Sequence, residues 1–133
     1  MDDLSRRTLE ALRKLGFEVQ PTSFSAITST GEMSRIREHC SLPNGDSVQI
    51  LRYFPDFFVI HHSAVPERGI FFVTLASNNM VLTREAQDIY QRYFPKDLLI
   101  VGQSPEHNLV AVWIGSRDKP KPLDKVIHNR LET

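Results

Sequence analysis

Asp56 is the residue of this chain best placed to do chemistry, and Thr74 and Ala76 are the positions that decide whether it can. It lies in the run Tyr53-Phe54-Pro55-Asp56-Phe57-Phe58-Val59-Ile60, which is followed after a short break by Gly69-Ile70-Phe71-Phe72-Val73-Thr74-Leu75-Ala76-Ser77. Both runs read as β-strands, and side chains two apart on a strand share a face. Thr74 and Ala76 therefore point the same way as Ile70 and Phe72. If the strands pair, that face meets Asp56. A Mg²⁺-dependent hydrolase of phosphodiesters needs at least two hard oxygen ligands converging on one ion, with a cation nearby to orient water or offset developing charge. An acid at 74 and a lysine at 76 would complete such a set around Asp56. The chain has a neutral hydroxyl at the first position and a methyl group at the second.

These residues resemble two motif strands of the PD-(D/E)XK nuclease superfamily, one carrying Pro-Asp and the other an acid, any residue, then lysine. By that resemblance Asp56 stands at the Pro-Asp aspartate, Thr74 at the second acid and Ala76 at the lysine. The resemblance implies a restriction-endonuclease-like α/β core, α-β-β-β-α-β, from the first helix to Val101, with a strand and a helix added at the C-terminal end. It also implies a metal site of Mg or Mn that has lost two of its charged members. Asp56 would ligate metal only if the site had been rebuilt by an acid or lysine migrated to another element, and Glu67, Glu85 and Gln87 are the candidate positions for such a migration. Some branches place a glutamate on the first helix, where Glu10 lies off the apolar stripe. The implied function is that of a pseudo-nuclease binding nucleic acid or a protein partner, with no cofactor. The alternatives are an active nuclease with a rebuilt site and a scaffolding subunit without nucleic acid contact.

Other side chains suggest chemistry less directly. Pro-Asp is also common turn chemistry, because proline fixes φ and aspartate accepts backbone hydrogen bonds. His61 and His62 are consecutive, so at most one could share the face of Asp56, and no spacing supplies a third metal ligand. They read as a solvated turn. Phe54, Phe57, Phe58, Phe71, Phe72 and Trp113 alternate within apolar strands and read as core rather than as stacking platforms. Cys40 is a single cysteine with no partner for a disulfide and no serine or cysteine elbow is present. It suits a reducing, cytoplasmic setting.

The elements that must position Asp56 follow from periodicity. Residues 3 to 15 read as an amphipathic helix with Leu4, Thr8, Leu12 and Leu15 on its inner stripe, stopped by Gly16. Phe17 and Val19 begin a strand. Pro43-Asn44-Gly45-Asp46 is a turn leading into a strand from Ser47 to Tyr53, continuous with Phe57 to Ile60 or broken from it at Pro55. Ser34 to Cys40 reads as a helical turn or an extended edge. His61 to Arg68 reads as a polar turn, and Gly69 to Ala76, apolar on both faces, as a central strand. Thr83 caps a helix that runs to Tyr93 and ends at Pro95. Leu98 to Val101 and Leu109 to Ile114 are further strands, and Pro120 and Pro122 break the chain before a helix from Leu123 to Leu131. A central strand, a helix and another strand imply a crossover to a parallel neighbour.

The 133 residues suit one domain with a real core. No apolar run is long enough to span a membrane, and the charged start, Met1 to Arg7, lacks the apolar segment of a secretory signal. Sixteen basic residues balance sixteen acidic ones, which lowers the expectation of strong nonspecific binding to phosphates and favours local contacts. Arg35, Arg37 and His39 form one basic concentration; Arg117, Lys119, Lys121 and Lys125 form another. Both are interleaved with acids, as solvated surfaces usually are. Arg35, Arg37 and Arg52 are the residues expected to flank the Asp56 face and meet DNA or RNA. A homodimer or another protein is the alternative partner.

Overall fold

The computed structural model describes residues 3–21, 55–76, 84–93 and 97–132. Among these the elements are α1 (Asp3–Lys14), β1 (Glu18–Pro21), β2 (Phe57–Ile60), α2 (Pro66–Gly69), β3 (Ile70–Leu75), α3 (Arg84–Tyr93), β4 (Leu98–Gln103), β5 (Leu109–Trp113), β6 (Lys121–Pro122) and α4 (Leu123–Glu132). The six strands form one mixed sheet in chain order, flanked by helices. β1, β2 and β3 are antiparallel neighbours, β3 and β4 are parallel, and β5 and β6 return to antiparallel pairing. The chain is therefore α/β, and the parallel step follows the β3–α3–β4 order as the sequence implied. None of the described helices is long and apolar enough to cross a membrane.

Strand alternation sorts the side chains into two layers. Phe57, Val59, Phe71, Val73, Leu99, Val101 and Ala111 face one side. There they pack against Leu12 of α1 and against Leu123, Val126 and Ile127 of α4. Phe58, Phe72, Thr74 and Ile100 face the other side with Tyr90 of α3, and all five are buried. The rings of Phe58 and Phe72, cross-strand partners, lie 5.0 Å apart. β3 is covered on both faces, which explains why its sequence is apolar without alternation.

α1 ends as its glycine requires. Gly16 has φ +98°, its N–H donates to the Arg13 carbonyl, and the Phe17 N–H reaches back to the Leu12 carbonyl at 3.1 Å. These two bonds satisfy carbonyls that a helix end leaves open, and the turn brings Phe17 and Leu12 into the same core.

Two expectations need adjustment. The polar turn from His61 to Arg68 contains a helical turn, α2, begun by Pro66 at its first position, where a missing N–H costs nothing. Pro122 does not merely break the chain: Lys121 and Pro122 pair with Ala111 and Val110 as a short edge strand, a place that tolerates a proline. The additional strand and helix extend the sheet at β5 and cover the α1 face through α4. The expected strand from Ser47 to Tyr53, the turn at Pro43 to Asp46, the segment Ser34 to Cys40, and Thr83 and Pro95 lie outside the described residues.

Candidate functional site

Asp56 immediately precedes β2, and buried Pro55 precedes it. In the β2–β3 ladder Phe57 lies opposite Val73, so one further step along the antiparallel register sets Asp56 opposite Thr74. The side chains meet there. Thr74 Oγ1 donates to Asp56 Oδ2 at 3.4 Å, and the backbone N–H of Leu75 donates to the same oxygen at 2.8 Å. The shorter bond is the stronger one, so the carboxylate is held chiefly by the main chain of β3. It takes the place that another residue of β2 would have taken had the ladder continued. Both bonds run to residues 18 and 19 positions further along the chain, so they are cross-ladder contacts and not the local bonds expected of a Pro-Asp turn.

The array continues inward. Thr74 is 2% exposed, and its hydroxyl lies 3.2 Å from the Tyr90 hydroxyl. Because Thr74 gives its proton to Asp56, its oxygen is free to accept the Tyr90 O–H. Burial raises the Tyr90 phenol above its ordinary value; the Thr74 hydrogen bond opposes that shift and the Asp56 charge adds to it. The phenol thus stays protonated and remains a donor over the ordinary pH range. Ala76 is also buried and adds no polar atom.

As a donor set for a hard divalent cation this array is poor. It offers one carboxylate, already engaged by an N–H, and two neutral hydroxyls. Among the described residues no group of three or more His, Cys, Asp or Glu side chains is gathered around a common point.

The other candidates fall elsewhere. Glu67 is exposed on α2, before the start of β3, whereas Thr74 lies near its end. Glu10 is exposed within 3.9 Å of Arg6, on the helix that covers the opposite face of the sheet. Gln87 lines a cleft with Gln91, Ile100 and Val112 over β4 and β5, while Asp56 flanks β2. Glu85 belongs to α3, but its side chain, like Arg35, Arg37 and Arg52, lies outside the described residues. His61 and His62 follow β2, at the end remote from Asp56. His62 Nε2 lies 2.7 Å from Glu18, and the His61 ring packs edge-on against Phe17 at 5.1 Å, so only the first is a solvated turn residue.

Tyr90 was not anticipated as a site residue. A helix between two parallel strands must turn one stripe to the sheet, and Tyr90, four residues after Ala86, belongs to a stripe of that spacing. Which strand residue it meets depends on how α3 is rotated and seated.

Comparisons of the chain with protein-family models, with curated proteins and with solved structures find no match to any of them.

Proposed function

We propose that this chain is a catalytically degenerate nuclease-like domain of the restriction-endonuclease-like type, acting as a nucleic-acid-binding or protein-interaction module. The observation that carries the reading is the meeting of Asp56 and Thr74 across β2 and β3. A Pro-Asp carboxylate faces the position at which the superfamily's second acid would stand, and a hydroxyl bonded to Tyr90 fills it. The order α1-β1-β2-β3-α3-β4, with three antiparallel strands and a parallel fourth, supports the same reading. Replacing an acid and a lysine by threonine and alanine removes a metal ligand and a catalytic cation, so two separate changes must be reversed before metal-dependent hydrolysis returns.

Binding survives such losses better than catalysis, because phosphate contacts come from surface cations that need no metal. The balanced charge favours weak or local contacts, and it also favours the protein-interaction branch of the proposal.

Calorimetric titration of Mn²⁺ into the protein, with Asp56→Ala as control, tests the loss of catalysis. The expected outcome is the same unsaturable heat for both. Saturable binding that disappears with Asp56→Ala would overturn the degenerate reading and favour an active Mg- or Mn-dependent nuclease with a rebuilt site.

A further inference from the structure

The C-terminal additions carry a second feature, which lies outside the part of the chain that resembles a nuclease. Between β5, the turn after it and α4 there is a cleft of about 190 Å³. Ala111, Trp113 and Val126 give it an apolar floor, and Ser116, Asp118, Lys119 and Lys121 form a polar rim. Three properties bear on what it could hold.

First, Trp113 is partly exposed, whereas Phe17, Phe57, Phe58, Phe71, Phe72 and Tyr90 are buried. Among the described Phe, Tyr and Trp side chains it alone reaches the surface, which revises its assignment as a plain core residue. Its position is fixed: the Arg130 guanidinium carbon lies 4.7 Å from the indole centroid, and the Phe71 ring packs edge-on against it at 5.1 Å. A rigid, partly exposed indole offers the part that Arg130 leaves uncovered to a flat group at small entropic cost.

Second, the rim is cationic within a neutral chain. Its charged lining is Lys119 and Lys121 against the single acid Asp118. Lys119 and Lys121 are exposed, and among the described residues neither ammonium group forms an ion pair. They are available to an anion.

Third, the volume is below the roughly 300–1,000 Å³ of pockets that enclose a whole small molecule. The cleft suits one unit of a longer ligand that passes over it. A flat apolar group joined to an anion, repeated along a flexible chain, describes a nucleotide within a single strand.

We infer that this cleft holds one base and its phosphate from single-stranded nucleic acid, with the base against Trp113 and the phosphate between Lys119 and Lys121. The inference rests on the nucleic-acid branch of the proposed function and gives that branch a location on β5, β6 and α4.

The test uses the full chain and short mixed-sequence single-stranded DNA and RNA oligonucleotides with a fluorescent end label. Anisotropy of the label reports binding anywhere on the protein, and emission of Trp113, the sole tryptophan, reports occupancy of the cleft. Binding is expected to quench Trp113. Lys119→Ala/Lys121→Ala, two exposed changes that leave the core alone, are expected to weaken affinity about tenfold and lower the salt-dependence slope by about 1.4. Binding with unchanged Trp113 emission, or equal binding by the double variant, would overturn the cleft and leave nucleic acid binding standing elsewhere. No anisotropy change with either oligonucleotide would overturn the nucleic-acid branch and this inference together. Quenching by a polyglutamate peptide but by neither oligonucleotide would assign the cleft to an acidic polypeptide instead.

Discussion

The carboxylate of Asp56 accepts the backbone N–H of Leu75 at 2.8 Å, and so closes the β2–β3 ladder with a side chain where a main-chain carbonyl would otherwise be. An acidic residue in this position has a structural task whether or not it ever meets a metal. Its removal leaves the Leu75 N–H to be satisfied by water. Because Asp56 is exposed, the loss is at the lower end for a hydrogen bond to a charged group. Asp56→Ala should lower unfolding free energy by about 1.5 kcal/mol in urea titrations, and Asp56→Asn, which keeps an acceptor oxygen, by less. Equal stability of wild type and Asp56→Ala would exclude the ladder-closing role.

Tyr90 links that surface carboxylate to the buried layer under α3. Its phenol is raised above the ordinary value of 10.0, chiefly by burial. The folded state therefore holds this proton more tightly than the unfolded state does. The resulting stability is fully present below the unfolded value and is lost as pH rises through the folded one. Above about pH 10 the wild type should lose stability more steeply than Tyr90→Phe. The difference between their absorbance titrations near 295 nm should also show a tyrosine ionising late, and Asp56→Asn should bring that ionisation earlier. A difference titration at the ordinary tyrosine value would contradict the burial of this hydroxyl.

Restoring an acid at residue 74 probes the same geometry from the other side. The Thr74 and Asp56 oxygens are 3.4 Å apart, so Thr74→Asp would bring two carboxylates together. Without metal they repel, and the variant should unfold at lower temperature than wild type. Mn²⁺ should then raise its midpoint, by a stabilisation of about 2.7 kcal/mol at a hundredfold excess over the dissociation constant, with no matching shift in wild type. Failure of Mn²⁺ to rescue the variant would mean that the two positions do not converge on an ion.

Arg130 should be the most sensitive charged residue in α4. Its guanidinium donates to the carbonyls of Arg68 and Glu67, reaches Asp97 Oδ1 at 3.3 Å, and lies over Trp113. A lysine has the charge but not the planar fork that makes these contacts at once. Arg130→Lys and Arg130→Ala should both lose stability, the second by about 2 kcal/mol, with a shift in Trp113 emission. An Arg130→Lys protein with wild-type stability and emission would show that charge alone suffices.

Gly16 combines two constraints. Its φ of +98° disfavours any side chain, and a Cβ there would approach His61 Nε2 to 2.8 Å. Gly16→Ala should cost upward of about 1 kcal/mol. Made in a His61→Ala background it should cost less, because the steric part is relieved and the backbone part remains. Identical costs in the two backgrounds, compared by denaturant unfolding, would assign the whole effect to φ.

Much of the scaffold could be read locally. The apolar stripe of α1, the glycine after it and the unalternating run of β3 each record a preference set within a few residues, and all three reappear in the structure. Period-two alternation also implied that residue 74 would face Asp56, since a strand has only two faces and a slip of one residue exchanges them. The helical turn at Pro66 and the edge pairing of Lys121 and Pro122 were harder to read, because elements of four and two residues carry too little periodicity.

What the sequence determined by itself is the alternation, the caps and the residue types available at each face. The tertiary structure decided which of those groups meet. The Leu75 N–H reaches Asp56 because β2 ends there, Tyr90 reaches Thr74 because α3 is seated over β3, and Arg130 gathers acceptors from two distant segments around the indole of Trp113. Such contacts depend on register, helix rotation and the seating of one layer on another. Those are set by packing over the whole sheet and leave no local repeat in the chain to be read.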